Sequence, residues 1–322
     1  MRFNPKARLD RGRVRDAGRG SGRGSGGRPG GGTRLPIPSG VGAGGIGGVL
    51  LLVVVAVALF ATGGLPGVGG DGGGTGATGG AAYDTARFSD ATDTGRYDDC
   101  RTGADANRSP DCARVAVENS LTDYWDGELG RDFEPEQALV TFTDDVQTGC
   151  GPATSAVGPF YCPTDASIYL DTRFFDEVLE RRLGGPDGGF VEYYVLAHEY
   201  GHHIQNLTGQ MGRVRTQQGP QSDAVRLELQ ADCYAGMWTR AATTTEDASG
   251  QVLISELTRE DITLALAAAE TVGDDRIQER TQGQVTTETW THGSSDQREA
   301  WFLRGYEEGS LQACDTFAVE RV

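Results

Sequence analysis

Three of the four histidines in this chain fall within a span of six residues, in the segment VLAHEYGHHIQ at 195–205. His198, Glu199 and His202 make an H-E-x-x-H pattern. On an α-helix, residues four apart share a face, so two imidazoles can bind one Zn²⁺ ion at about 2.0–2.1 Å each. Glu199 follows the first histidine directly, where its carboxylate can reach a water molecule instead of the metal. The pattern predicts one zinc ion per chain, with Glu199 as the general base that takes a proton from water.

A catalytic zinc ion needs a third protein ligand. Peptidases whose third ligand is a histidine six positions after the second are excluded, because that position holds Thr208. Glu228 and Asp232 lie four apart in the segment SDAVRLELQADCYAGMWTR at 222–240, so they share a face of a second predicted helix. We expect Glu228 to be the third zinc ligand and Asp232 to orient a ligand histidine. The alternative is that both carboxylates lie on a solvated helix face.

The residues around these motifs predict the two helices that must position them. Apolar residues at helical spacing run from Phe190 to Ile204, after the break PDGG at 186–189. Ser222 can act as an N-cap for the second helix, which carries a regular apolar stripe. The segment GQMGRVRTQQGPQ at 209–221 is long enough to bring that helix back antiparallel to the first.

The remaining segments predict an α+β fold that is mainly helical, with a small sheet at the active-site cleft. We expect strands at 138–143 and 167–171, and further helices at 111–125, 173–183 and 259–272. Segment 156–161, which contains Gly158, is expected to form a cleft wall on which a peptide adds as an extra strand. An ordinary structural hairpin is the alternative for this segment.

His292 is the one histidine outside the cluster. It precedes a predicted helix start, where Ser294 and Gln297 have the spacing of a capping box. His292 either stabilises the oxyanion of a transition state or has a structural role. Tyr234, on the second helix, is a further candidate for the transition state or the cleft, and the roles of Tyr200 and His203 stay open.

All six cysteines follow residue 82. An even number on one part of the chain suggests disulfides. Local spacing favours the pairs Cys100–Cys112 and Cys150–Cys162, which leaves Cys233–Cys314. Buried free thiols or zinc ligation are the alternatives, although no C-x-x-C spacing supports zinc binding by these cysteines.

The N-terminal part of the chain differs sharply in composition from the rest. Residues 1–40 contain ten basic and two acidic residues without apolar periodicity, which predicts a disordered basic cytoplasmic tail. Residues 41–61 are apolar and would span about 31 Å as a helix, enough to cross a lipid bilayer once. Residues 62–82, with eleven glycines, predict a flexible linker before a zinc peptidase domain at 83–322. A cleaved signal peptide is the alternative to this single-pass cell-membrane anchor, which the positive-inside rule orients with the N terminus in the cytoplasm.

The charge of the chain bears on its partners. Residues 41–322 contain 19 basic and 44 acidic residues, so this part does not attract phosphate by charge and no nucleic-acid partner is expected. Binding of nucleic acid by the Arg/Gly-rich residues 1–40 is the alternative. The expected partners are a peptide or protein substrate and the lipid bilayer.

Longer strings around these motifs resemble a known family. HEYGHHIQ followed by ELQADCYAG is similar to the bacterial putative neutral zinc metallopeptidase family, as are CGPATSAVGPFYCPTDASIYLD at 150–171 and HGSSDQREAWFLRGYEEG at 292–309. An E-x-x-A-D string after H-E-x-x-H also looks like the gluzincin peptidases. The resemblance implies a zincin-like fold, Glu228 as the third ligand and Asp232 in support of the site, but it implies no particular substrate.

These observations together predict a membrane-anchored zinc peptidase. The competing class is a non-catalytic membrane-anchored binding module that keeps zinc for structure. A Glu199→Gln change separates the two classes, because an enzyme loses hydrolysis and keeps its metal, whereas a binding module loses nothing.

Overall fold

A computed structural model of the protein describes residues 1–20 and 93–322, and in this part of the chain the fold is α+β. The α-helices there are α1 Gly103–Ala106, α2 Pro110–Leu129, α3 Gly189–Leu207, α4 Asp223–Ala241, α5 Arg259–Thr271, α6 Asp274–Gln282 and α7 Ser295–Glu308. The strands are β1 Arg2–Phe3, β2 Val14–Arg19, β3 Ala138–Thr143, β4 Asp145–Thr148, β5 Gly151–Thr154, β6 Phe160–Cys162, β7 Ser167–Asp171 and β8 Ile254–Glu256. The helix predicted at 173–183 is instead a π-helical segment, Phe175–Glu180.

The main sheet has four strands in the order β2-β3-β7-β6. Strands β2, β3 and β7 are parallel, and β6 pairs antiparallel with β7, so β6 forms one edge of the sheet. Strands β4 and β5 form a separate antiparallel pair, and β1 pairs with β8. The central strands β3 and β7 are almost entirely buried, as expected for parallel strands covered on both faces.

Residues 1–20 belong to the folded domain, so the prediction of a disordered tail was wrong for this segment. Strand β2 lies parallel to β3, with Val14 opposite Leu139. The Asn119 side chain on α2 bonds both the amide and the carbonyl of Asp10, at 2.7 and 2.6 Å. The sequence gives little sign of these strands, because their partners lie far along the chain and the segment is rich in arginine. The folded domain therefore includes residues 1–20 as well as residues beyond the predicted boundary at 83.

The structure also contradicts the predicted single-pass membrane location. The predicted transmembrane helix at 41–61 and linker at 62–82 lie outside the described residues. Within residues 1–20 and 93–322, none of the helices combines the length and the hydrophobicity that a membrane span needs. A single crossing at 41–61 would also place residues 1–20 and 93–322 on opposite sides of a bilayer, yet β2 and β3 are hydrogen-bonded neighbours. The predicted single-pass location with a cytoplasmic N terminus was therefore wrong.

Helices α4 and α7 approach each other closely along two glycines. A Cβ atom at Gly236 would lie 2.0 Å from the carbonyl oxygen of Phe302, and one at Gly305 would lie 1.9 Å from the carbonyl oxygen of Cys233. Contacts this short exclude any side chain at these positions. The glycines therefore hold the backbones of α4 and α7 against each other in the core of the domain.

Three disulfides link the described part of the chain: Cys100–Cys112, Cys150–Cys162 and Cys233–Cys314. The first two pairs are those that local spacing favoured, and the third is the pair that this left. The third bond joins α4 to the C-terminal segment, 81 residues away in sequence. It begins at the residue that directly follows Asp232, so it anchors the segment next to the predicted site.

The predicted cleft wall at 156–161 leads into the edge strand of the main sheet. Gly158 has a φ of 80°, and a Cβ atom there would lie 3.2 Å from the Phe174 ring. Any larger residue at this position would strain the backbone. A substitution of Gly158 would therefore damage the local fold as well as any substrate contact.

Candidate metal centre

His198, His202 and Glu228 converge where α3 packs against α4. The Nε2 atom of His198 lies 3.3 Å from Oε2 of Glu228, and Nε2 of His202 lies 3.5 Å from Oε1 of the same carboxylate. One potential ligand atom from each residue lies within 4.8 Å of the other two. All three side chains are about nine-tenths buried. The two helices therefore bring together the three residues predicted to hold a metal.

Local features of both helices produce this meeting. Ser222 caps α4, accepting a hydrogen bond from the amide of Val225 at 3.2 Å. Gly201, inside the H-E-x-x-H pattern, lies against α4, where an added Cβ atom would be 3.1 Å from the backbone of Ala231. A residue without a side chain lets the two backbones approach at this point. Because Ala231 is one turn beyond Glu228, the same approach brings that carboxylate to the histidines.

Asp232 fixes the orientation of His198. Its Oδ1 atom lies 2.8 Å from Nδ1 of His198, and it also accepts the hydroxyl of Tyr194 at 2.5 Å. An ionised carboxylate only accepts hydrogen bonds, so the proton of the imidazole lies on Nδ1. Nε2 is then directed at Glu228, which is the orientation that a metal ligand needs.

A neutral side chain performs the equivalent task for His202. Its Nδ1 atom lies 2.8 Å from Oε1 of Gln205. The amide nitrogen of Gln205 donates to the carbonyl of Leu227 at 2.6 Å and to Gln230 at 3.1 Å, which identifies the other atom of this amide as the acceptor oxygen. Nδ1 of His202 therefore carries a proton, and its Nε2 atom also faces Glu228.

The electrostatics of the cluster favour charge on its members. Burial opposes protonation of His198, but Asp232 and Glu228 outweigh it and raise its pKa to about 10. Burial likewise opposes ionisation of Glu228, but the surrounding histidines His202, His292 and His198 lower the pKa of this carboxyl. The site therefore attracts positive charge to a small set of inward-facing donor atoms.

Glu199 lies on the same helix beside His198 and His202. Its side chain is largely buried, with 8% of the residue exposed. Among residues 1–20 and 93–322, no group forms a hydrogen bond or an ion pair with its carboxylate. Its oxygens therefore remain available to a molecule that enters the site, as a general base requires.

His292 approaches the cluster from the loop before α7. Thr291 lies 2.8 Å from its Nδ1 atom and Asp274 lies 3.5 Å from it, while Asp274 also accepts the backbone amide of His292 at 2.7 Å. Burial opposes its charge, but Glu228 and Asp274 raise the pKa of His292. Its contacts with Asp274 serve a structural role, and its proximity to Glu228 keeps the transition-state role open.

The other candidate residues occupy different places. Tyr234 packs its ring against Trp125, with centroids 5.3 Å apart, and no hydrogen bond of the described residues joins it to the ligands. Tyr200 contacts Thr122 of α2 at 3.1 Å, away from the cluster. His203 has an ordinary buried role, because burial lowers its pKa to about 4 and its ring bonds the carbonyl of Glu134 at 2.8 Å.

The same helix also holds the edge strand of the sheet in place. The hydroxyl of Tyr161 on β6 lies 3.1 Å from Nδ1 of His203 and accepts the side-chain amide of Asn206 at 2.9 Å. The edge strand is thus fixed to the helix that carries His198 and His202. Sequence reasoning left His203 open and did not identify Asn206, although both lie within four residues of the motif.

Sequence reasoning also missed two residues that support the ligands, Gln205 and Arg298. Gln205 lies three positions after His202, a spacing at which helical side chains can meet, so its role was open to prediction. Arg298 lies in the HGSSDQREAW string, directly after Gln297, the last residue of the predicted capping box. Nothing local shows that this arginine is buried, because that depends on how α7 packs against α4.

The donor set fits zinc. Two imidazole nitrogens and one carboxylate are a known ligand combination for catalytic zinc, and ligands at tetrahedral positions around it would lie about 3.4 Å apart. The observed separations from Glu228 are 3.3 Å to His198 and 3.5 Å to His202. Both imidazoles direct Nε2 at the cluster, and a metal ion that binds there would take the place of any proton on this atom.

Comparisons with known proteins agree with this donor set. A family model described as putative neutral zinc metallopeptidase matches residues 4–317. The chain is 51% identical over 221 residues to the uncharacterized protein Rv2575 of Mycobacterium tuberculosis strain H37Rv, a match that covers 68% of this chain and 74% of the relative. It is 39% identical over 198 residues to the uncharacterized protein YpfJ of Escherichia coli strain K12, covering 59% of this chain and 64% of that relative. No solved structure gives a significant match. Because the family model covers nearly the whole chain, this protein belongs to the putative neutral zinc metallopeptidase family.

Proposed function

We propose that this protein is a zinc-dependent peptidase that hydrolyses peptide bonds at the cluster of His198, His202 and Glu228. One observation carries the proposal: three inward-facing donor atoms lie within 4.8 Å of one another beside a buried carboxylate, Glu199, that has no partner among the described residues. A structural zinc site would be closed by four protein ligands. The described residues supply three to this cluster, which leaves room for water or substrate.

His198, His202 and Glu228 would hold the ion, and Asp232 and Gln205 would fix the two imidazoles. A zinc ion bound there would supply a Lewis acid that polarises a carbonyl and lowers the pKa of water. The supporting hydrogen bonds keep both Nε2 atoms directed inward before the metal arrives. This preorganisation lowers the cost of assembling the site.

Glu199 would perform the proton transfers. Its carboxylate takes a proton from the attacking water as the oxygen adds to the peptide carbonyl carbon. Glu199 then passes the same proton to the leaving amine as the carbon–nitrogen bond breaks. Glu199 is 8% exposed, and its lack of a described partner leaves the carboxylate free to accept the proton.

Strand β6 is the proposed docking edge for a peptide substrate. This strand ends the main sheet and is fixed to α3 through Tyr161, so a peptide that added to it would run past the metal ligands. His292 is a candidate to stabilise the oxyanion, since its ring lies close enough to Glu228 to influence it electrostatically. These assignments leave the peptide sequence open.

The test compares wild type with Glu199→Gln in the full chain, because a fragment that begins at residue 83 lacks β1 and β2. Both proteins are loaded with zinc, analysed for metal content and incubated with a peptide library. We expect equal zinc contents and a loss of about 10²–10⁴-fold in turnover for the variant. The exposed residue Glu279, changed to Gln, is the matched control and should retain wild-type turnover.

Two results would contradict the proposal. If wild type binds one zinc ion but cleaves no peptide, the protein is a binding module that keeps zinc for another purpose. If Glu199→Gln cleaves peptides at the wild-type rate, Glu199 is not the general base.

A further inference from the structure

Arg298 lies behind the metal cluster with almost no contact with solvent. Its side chain is 4% exposed and forms two parallel hydrogen bonds to Asp232, from Nε to Oδ2 at 2.8 Å and from Nη2 to Oδ1 at 2.9 Å. Nη2 also donates to the hydroxyl of Tyr194 at 3.2 Å, and Nη1 lies 3.4 Å from the carbonyl of Val272. Because the guanidinium and the carboxylate meet through two parallel hydrogen bonds, the contact fixes the orientation of the carboxylate and also places an opposite charge beside it.

Arg298 and His198 share the same carboxylate. Nη2 of Arg298 lies 3.4 Å from Nδ1 of His198, and both atoms carry hydrogens directed at Asp232. The carboxylate is fully buried, so both of its oxygens depend on protein partners for their hydrogen bonds. The two parallel bonds from Arg298 fix the plane of this carboxylate, and with it the position of the Oδ1 atom that faces Nδ1 of His198.

Helix α7 delivers this arginine to the site. Gly305 and Gly236 allow the backbones of α7 and α4 to touch, and the capping box of Ser294 and Gln297 fixes where α7 begins. Arg298 lies in the first turn of that helix. Its position relative to Asp232 is therefore set by rigid packing and not by a loop.

We infer that Arg298 is a positioning residue for zinc binding: it holds the Asp232 carboxylate in a fixed orientation, and Asp232 in turn holds His198 with Nε2 directed at the metal. Arg298 touches neither substrate nor metal and acts only through Asp232. The inference rests on the proposed function, since it assumes that zinc binds at His198.

The test measures the zinc dissociation constant by competition with a chelator for wild type, Arg298→Met and Arg114→Met. Arg114 is the matched control, because it is also 4% exposed and paired with carboxylates, Asp111 and Glu192, but does not contact the cluster. We expect Arg298→Met to weaken zinc binding about 10-fold, the lower end for groups that support metal ligands. Arg114→Met should match wild type among folded molecules, and Arg298→Lys should restore part of the loss.

A double-mutant cycle with Asp232→Asn tests the route of the effect. If Arg298 acts through Asp232, the double variant Arg298→Met/Asp232→Asn should bind zinc as tightly as Asp232→Asn alone. The double variant also removes both buried charges, so it provides the measurement if Arg298→Met does not fold. The visible spectrum of bound Co²⁺ should change in Arg298→Met and stay unchanged in Arg114→Met.

Different results would overturn the proposed function and the positioning role of Arg298. If wild type binds no zinc, or if His198→Ala binds it as well as wild type, the proposed function fails. If wild type binds zinc at this site but Arg298→Met binds it equally well, the inference alone is overturned. A double variant that binds zinc about 10-fold more weakly than Asp232→Asn would also overturn it, because Arg298 would then act by another route.

Discussion

Helix α3 separates two buried clusters that are built from similar side chains in different proportions. The front cluster consists of Arg298, Asp232 and Tyr194 around His198, and its arginine faces one carboxylate. The back cluster surrounds Tyr200, which is two positions along the helix and about 200° around its axis. It consists of Arg13, Glu118, Glu136 and Thr122, so its arginine faces two carboxyls.

The two clusters differ in how they balance charge. In the front cluster, Arg298 and Asp232 neutralise each other, and Asp232 keeps an ionised carboxylate directed at a histidine. In the back cluster, Arg13 bonds Glu118 at 2.8 Å and lies 3.9 Å from Glu136. Burial and the adjacent Glu118 carboxylate raise the pKa of Glu136 well above its usual range. A one-to-one pair can hold a ligand in place, whereas the second carboxyl of an unmatched pair must keep its proton.

Removing Arg13 from the back cluster should have the largest effect on stability. Arg13→Met leaves two buried carboxyls without a cation and removes one of the contacts that hold the N-terminal segment against α2. Loss of one partner from a buried ion pair costs about 3–5 kcal/mol, so the free energy of unfolding should fall by about 3 kcal/mol. Chemical denaturation measures this change, and zinc affinity of the folded protein should stay at the wild-type value.

A loss of zinc affinity in Arg13→Met would contradict the distinction between the two clusters, because the back cluster would then also position the ligands. An unchanged free energy of unfolding would show that Glu118 and Glu136 do not depend on this arginine. Arg11→Met, at an exposed ion pair in the same segment, is the control and should have little effect on stability.

Removing the second carboxyl should have a smaller, pH-dependent effect. Below the unfolded-state pKa of about 4.3, both states hold the proton of Glu136. As pH rises above this value, the unfolded chain releases its proton first, so wild-type stability falls until pH passes the raised folded-state pKa. Glu136→Gln removes this loss, and the variant should gain stability relative to wild type between pH 5 and pH 8, about 1.4 kcal/mol for each unit of pKa shift.

Unfolding by urea at the two pH values measures this difference. The exposed residue Glu279, changed to Gln, should show no pH-dependent gain. A stability difference between Glu136→Gln and wild type that is the same at both pH values would contradict the raised pKa of Glu136.

Prediction from the sequence succeeded where the signals are local. The four-residue spacing of His198 and His202, the cap at Ser222 and the spacing of the first four cysteines each depend on neighbours within about one to three helical turns. The same local signals indicated β3 and β7, whose observed bounds match the predicted strands. Such features survive folding because tertiary contacts add to them and do not override them.

Prediction failed where the structure depends on distant partners. Residues 1–20 resemble a disordered basic tail until β3 supplies the hydrogen bonds of β2 and Glu118 neutralises Arg13. Arg298 follows a capping box and resembles any surface arginine until Gly305 brings α7 against α4. In both cases the partner that determines the structure is far along the chain, and no periodicity in the segment itself indicates that partner.

X-ray absorption at the zinc edge of the zinc-loaded full chain identifies the atoms around the metal. We expect one zinc ion per chain with two imidazole nitrogens and one carboxylate from the protein, and with water oxygen completing the shell. A shell with sulfur, with four protein ligands or with fewer than two imidazoles would contradict the assignment of His198, His202 and Glu228, as would a chain that retains no zinc.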